Sequence, residues 1–179
     1  MKFVFLILLL LFPVVVSGSD DAGMYISIMS ANNKDSDKYT NIDLGYDGSK
    51  HNWQGFGGYL GILFLLPKSD NPHRGSLGVN FGVRKLFKFK VFKGYEAFTP
   101  YIGAGGYVTY SSEKIEESGN EYKKVTDIAF HSLVPSAGIR LPITKHISIV
   151  PNVRYMLPIN KDNSSIFAYG VTLRYGNKK

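Results

Sequence analysis

Cysteine is absent from this 179-residue chain. That excludes disulfides, thiolate metal sites and cysteine nucleophiles, and it excludes the lipobox of an acylated lipoprotein. No heptad pattern, helix-length 3.6-residue periodicity or fixed-period repeat runs through it. After residue 16 no apolar run is long enough for a spanning helix, which needs about 20 residues. The most apolar later stretch, YLGILFLL at 59–66, contains Gly61 and stops at Pro67. A membrane form of the mature chain therefore has to be a closed barrel, in which every backbone polar group is paired.

The chain opens with MKFVFLILLLLFPVVVSG: one lysine, an apolar run from Phe3 to Val16, then small residues. This order is that of a secretory signal, with Val16-Ser17-Gly18 as the cleavage region. The expectation is a signal peptide at 1–18 and one domain at 19–179. Removing residues 1–18 takes one of 21 basic residues and leaves 20 against 14 acidic, a net charge of +6. For an exported chain this excess points to anionic headgroups or lipopolysaccharide phosphates rather than nucleic acid.

Eight strand-length segments alternate with period two between polar turns, the pattern of an all-β chain. They are expected at 24–31, 39–46, 53–66, 76–89, 98–110, 128–141, 147–157 and 165–175, with turns or loops between, including DGSKHN at 47–52 and the polar 111–127 stretch. The last, SIFAYGVTLRY, shows the logic. Phe167, Tyr169, Val171, Leu173 and Tyr175 share one face; Ala168, Gly170, Thr172 and Arg174 share the other. Bulky residues on the apolar face and small ones opposite suit a narrow lumen surrounded by lipid. The opposite choice, a soluble lipocalin-like barrel binding an apolar ligand, requires Phe167, Tyr169, Leu173, Ile149 and Val153 to line a cavity.

At Gly170, Leu173 and Tyr175 the chain resembles the C-terminal assembly signal of bacterial outer-membrane β-barrels. It departs from that signal at Ala168, where a polar residue is usual, and in the tail 176–179. TPYIGAGGYVTY, at 99–110, is similar to the central strand motif of the small eight-stranded outer-membrane barrel family. The resemblance implies a closed, eight-stranded, antiparallel up-and-down transmembrane barrel in the outer membrane. It also implies contact with outer-membrane lipid and the barrel assembly machinery, no cofactor, and external loops able to meet a host or cell-surface ligand. Even strand parity puts both termini at the periplasmic end, so that the longest loop, 111–127, falls outside.

The lumen face is then polar: Asp43, Tyr59, Asn80, Arg84, Arg140, Asn152, Arg154 and Arg174. Eight strands leave room for side chains to fill the axis, so these groups are expected to satisfy one another as a plug. A narrow anion-attracting pore is the functional alternative. On these strands four arginines face a single aspartate, a positive excess to be balanced by water, rim glutamates or an anion.

Enzymatic readings are weaker. His131 and Ser132 are adjacent on a strand and point to opposite faces, so they do not form a nucleophile–base pair side by side. Some small outer-membrane barrels are lipid A deacylases and resemble this chain in size and in the fifth-strand motif. They imply a His-x-Ser pair on one face late in the barrel; the seventh strand here reads IVPNVRYML, with no such pair. His51, His73 and His146 lack metal-ligand spacing. Gly103-Ala104-Gly105 begins like a nucleotide fingerprint, but Val108 holds its third glycine position and no helix follows. Asn163-Ser164-Ser165 fits a sequon that carries no meaning in a bacterial envelope.

KLFKFKVFKGYEAF, 85–98, interleaves lysine with aromatics and reads as an interfacial girdle, with Tyr25, Tyr46, Phe56, Tyr110 and Tyr175 completing the belts. Pro135 and Pro151 each remove a ladder donor inside a predicted strand, so a bulge is expected at each. The 111–127 segment, rich in Glu and Lys, is the best candidate contact surface.

Overall fold

The computed structural model describes residues 21–33, 38–49, 55–68, 76–87, 98–117, 121–131, 133–158 and 165–178, and of residues 109–131 it describes the backbone. Among the described residues nine strands run in chain order: β1 (Asp21–Asn33), β2 (Lys38–Ser49), β3 (Phe56–Pro67), β4 (Ser76–Leu86), β5 (Thr99–Glu117), β6 (Glu121–His131), β7 (Ser136–Pro142), β8 (Ile147–Met156) and β9 (Ile166–Lys178). All pairings are antiparallel; most join sequence neighbours, β5 pairs with both β6 and β7, and β1 pairs with β9 from Asp21↔Lys178 to Asn33↔Ile166. That last pairing closes the sheet into a barrel. β6 and β7 both pair with β5, so together they form one of the eight staves.

The expected sixth strand, 128–141, is therefore broken, and the break is a bulge. Tyr107 pairs with His131, whereas Gly105 exchanges backbone hydrogen bonds with Val134, at 2.8 and 3.2 Å. Two steps along β5 are matched by three on its partner, the extra residue of a β-bulge. Pro135 lies just beyond it, and its carbonyl accepts from the Tyr155 N–H at 3.0 Å.

At Pro151 the expectation fails. The β8–β9 register runs unbroken through Pro151↔Val171, and the β7–β8 register is the same on both sides, Gly138↔Asn152 and Leu141↔Ile149. No residue is inserted. The ladder to β7 simply lapses opposite Ile139 and Arg140, because proline offers no N–H.

Two turn assignments are also corrected. Asp47, Gly48 and Ser49 belong to β2 and are buried, so the turn starts later than 47. The 111–127 segment is not a loop: Ser111–Glu117 extends β5 and pairs with 121–127 of β6, ending at Glu117↔Glu121. β4 reaches only to Leu77↔Tyr110, so this ribbon continues past the barrel wall. Its glutamates and lysines read as a loop by composition, but cross-strand pairing overrides propensity here.

Asp21, Ser49 and Lys178 lie at one end of the barrel, the terminal end. Strands β1, β3, β5 and β8 end at the other, distal end. The expected signal segment 1–18, His51, His73, Ser132, Asn163 and Ser164 lie outside the described residues.

Candidate functional site: the packed interior and its apolar jacket

Burial alternates strictly along β8, where Ser148, Val150, Asn152, Arg154 and Met156 point in and Ile149, Pro151, Val153 and Tyr155 point out. The same alternation governs β9. The five residues that a ligand-binding lumen would need are all on the outside, Phe167 at 44% and Tyr169 at 48% exposure among them. The lipocalin-like arrangement is thereby overturned. Outward aliphatics (Ile26, Leu44, Ile62, Val83, Ile102, Ile149 and Val171) circle the middle of the wall. Exposed aromatics flank them: Tyr46, Phe56, Phe87, Phe98 and Tyr175 toward the terminal end, Tyr155, Phe167 and Tyr169 toward the distal end. Lys85 holds its ammonium 4.5 Å from the Phe56 ring centre, and His146, in the turn after β7, packs on Tyr175 at 6.0 Å. Tyr25 does not join these belts. It is 6% exposed and faces the axis.

Inside, three layers succeed one another. Nearest the terminal end is a charge cluster. Arg174 donates to Asp47 at 2.6 Å and to Asp21 at 2.7 Å. Arg140 donates to Asp21 at 2.5 Å and stands 3.8 Å from Asp47. Arg84 reaches Asp47 at 3.3 Å and stacks over Tyr59 and Tyr101, at 4.9 and 5.2 Å from their centres.

Mid-barrel, Asp43 is fully buried. It accepts from Arg154 at 2.8 Å, from the Tyr25 hydroxyl at 3.3 Å and from the Asn80 amide nitrogen. Arg154 also donates to the Tyr107 hydroxyl at 2.8 Å. Along the wall Asn152 donates to Thr172, which donates to Ser27, at 2.9 and 2.8 Å.

The third layer, toward the distal end, is apolar: Met29, Ala31, Leu63, Leu65, Val134, Met156 and Ala168 pack with the Tyr107 ring. The sequence reading expected polar groups throughout the lumen, and this layer corrects it. Asn41 sits within it, between Met29 and Leu65 in register, and among the described residues neither its amide oxygen nor its nitrogen finds a partner.

Glycines make room for two of the inward phenols, Tyr25 and Tyr59. Gly45 and Gly61 face each other across β2 and β3, and a Cβ on Gly61 would come within 2.5 Å of both the Tyr25 hydroxyl and Asp43. Gly82 and Gly105 form the equivalent pair beneath the Tyr59 hydroxyl. Gly103 and Gly105 of the fifth-strand motif thus relieve crowding in the lumen.

All eight lumen residues named from the sequence point into this interior. Two of the three carboxylates that the arginines meet are not evident from the sequence. Asp47 was read as a turn residue because Asp-Gly is turn chemistry, yet Asn41, Asp43, Gly45, Asp47 and Ser49 keep the period of two. Asp21 was missed because it precedes the first apolar residue of β1. With both in place, four arginines meet three aspartates rather than one. Gly170, Leu173 and Tyr175 lie on β9, with Leu173 and Tyr175 on its outer face.

A closed barrel of eight antiparallel staves, apolar outside and polar at its core, is the inverse of a water-soluble fold. Its fold is like that of small outer-membrane β-barrels. No protein-family model matches the sequence, and no curated protein does. Solved structures match the fold. Neisserial surface protein A superposes with a TM-score of 0.62 at 11% identity, over 87% of this chain and 95% of that one. The N-terminal β-barrel domain of Pseudomonas aeruginosa OprF gives 0.59 at 8% identity, over 88% and 98%. Ail, the attachment invasion locus protein of Yersinia pestis, gives 0.57 at 11% identity, over 87% and 97%.

Proposed function

We propose that this chain is an exported protein of the bacterial outer membrane, with a non-enzymatic role as an envelope surface protein that makes contacts through its distal end. The observation that carries this reading is the outward jacket of aliphatics between two aromatic belts. In water, an apolar surface of that extent is a liability; in a bilayer it is the required face. The belts suit headgroup depth, and the net positive charge suits lipopolysaccharide phosphates.

The interior supports a structural role for the barrel itself. Its carboxylates are all engaged by guanidinium groups, so they serve packing. Contact then belongs to the distal end, where the β5–β6 ribbon stands beyond the wall, and a host or cell surface is the partner that end would meet. In this reading Gly170, Leu173 and Tyr175 form the strand that the barrel assembly machinery engages, and the leader at 1–18 is removed on export.

The test is fractionation of the mature protein followed by gel migration with and without boiling. Partition with outer membranes and a heat-dependent shift are the expected results. A protein that stays in solution without detergent would refute the membrane reading. Deleting 112–126 from the refolded barrel is expected to abolish binding to cells or lipopolysaccharide while leaving the heat-dependent shift intact.

A further inference from the structure

We propose that the barrel interior holds one small monovalent anion of halide size, in the cavity beside Arg84. This rests on the packing of the closed interior and is independent of the role proposed for the distal end. The cavity measures about 20 Å³, room for about one water-sized sphere. Arg84, Arg154 and Arg174 line it together with Tyr25, Tyr59 and Tyr101. Asp47 is the carboxylate that borders it, and it already accepts from Arg174 at 2.6 Å.

The charge balance of the described interior gives the reason. Asp43 neutralises Arg154, and Asp21 and Asp47 share Arg140, Arg174 and Arg84. Four guanidinium groups against three carboxylates leave one positive charge in excess. The excess is best assigned to Arg84: its contact with Asp47, at 3.3 Å, is to a carboxylate held more closely by Arg174, and its Nε is buried without a partner among the described residues. The rings of Tyr59 and Tyr101 screen its faces but do not neutralise it. An uncompensated guanidinium in a low-dielectric interior is costly, and a counter-ion next to it restores balance. The space is of a size for chloride or bromide and too small for gluconate.

The test uses the whole mature chain refolded in non-ionic detergent and unfolded with urea, at constant ionic strength, while chloride is exchanged for gluconate. The unfolding constant is expected to fall about tenfold for each tenfold rise in chloride above its dissociation constant, as for one site present only in the folded state. Bromide is expected to replace chloride, and crystals grown in bromide to show an anomalous peak beside Arg84 Nε. Arg84→Gln leaves three arginines facing three aspartates, so it is expected to keep the heat-dependent gel shift and lose the chloride dependence. Equal midpoints for the wild-type chain in chloride and gluconate would mean a cavity that holds water only, and would overturn the proposal. That comparison decides even if Arg84→Gln does not fold.

Discussion

Asp43 shows how much of this interior depends on single residues. Its carboxylate has no access to solvent and receives Arg154, Tyr25 and Asn80 together. A buried ion pair contributes little net stability, because both charges lose water, but breaking one leaves a bare charge. Asp43→Leu is therefore expected to destabilise the refolded barrel by about 3–5 kcal/mol, read as the shift of its urea midpoint. Adding Arg154→Met should recover most of that loss, since an apolar pair of similar bulk has no charge left to compensate. Asn41 is the opposite case, with both amide atoms unpartnered among the described residues, inside an apolar layer. Asn41→Leu is expected to raise stability by about 1–3 kcal/mol by removing that desolvation cost. The same unfolding measurement checks it, and a loss of stability would show that Asn41 has a partner of its own.

Among the elements, β7 is the weaker half of its stave. It is seven residues long, the bulge at 132–135 separates it from β6, and its ladder to β8 lapses at Pro151. The two prolines flagged in the sequence thus act on the same stave, one through an inserted residue and one through a missing donor. Pro151 points outward, so a β-branched residue there fits both the lipid-facing side and the strand. Pro151→Val is expected to restore the bond to Ile139, to add about 1 kcal/mol, and to slow hydrogen exchange in β7 and β8 relative to β2 and β3. Exchange unchanged in those strands would show that the seam opens for another reason.

For the molecule as a whole, the succession of layers decides what can pass through it. The charged layers alone would suggest an anion pathway, the alternative weighed from the sequence. The apolar layer of Met29, Leu63, Leu65, Val134 and Met156 stands across the same axis toward the distal end, with Leu63 and Met156 fully buried. A dry constriction of this kind blocks ions without any charged gate. Planar-bilayer recordings of the reconstituted barrel are expected to show no steady conductance, and a stable open level would contradict the layer as described.

The eight staves, their inside and outside faces, and the eight inward polar residues were legible in the sequence. Each depends on a period-two pattern, and parity fixes where the chain ends meet. Less was legible wherever polar composition and pairing disagree. Asp47 and Ser49 look like a turn, and 111–127 looks like a loop, until a partner strand supplies the backbone bonds that hold them extended. Tyr25 looked like a belt residue although its neighbours Gly23 and Ser27 share its inward face, and no pattern along one strand shows that Gly45 and Gly61 lie beneath its ring.

By itself the sequence determined the barrel and the side each strand presents to its surroundings, because side-chain direction along a strand is a local property. Only the tertiary structure decided which charges neutralise which, where the axis turns apolar, and that among the described residues four guanidinium groups share three carboxylates. Those outcomes depend on residues as far apart as Asp21 and Arg174 meeting across the closing seam, and closure is a property of the whole ring.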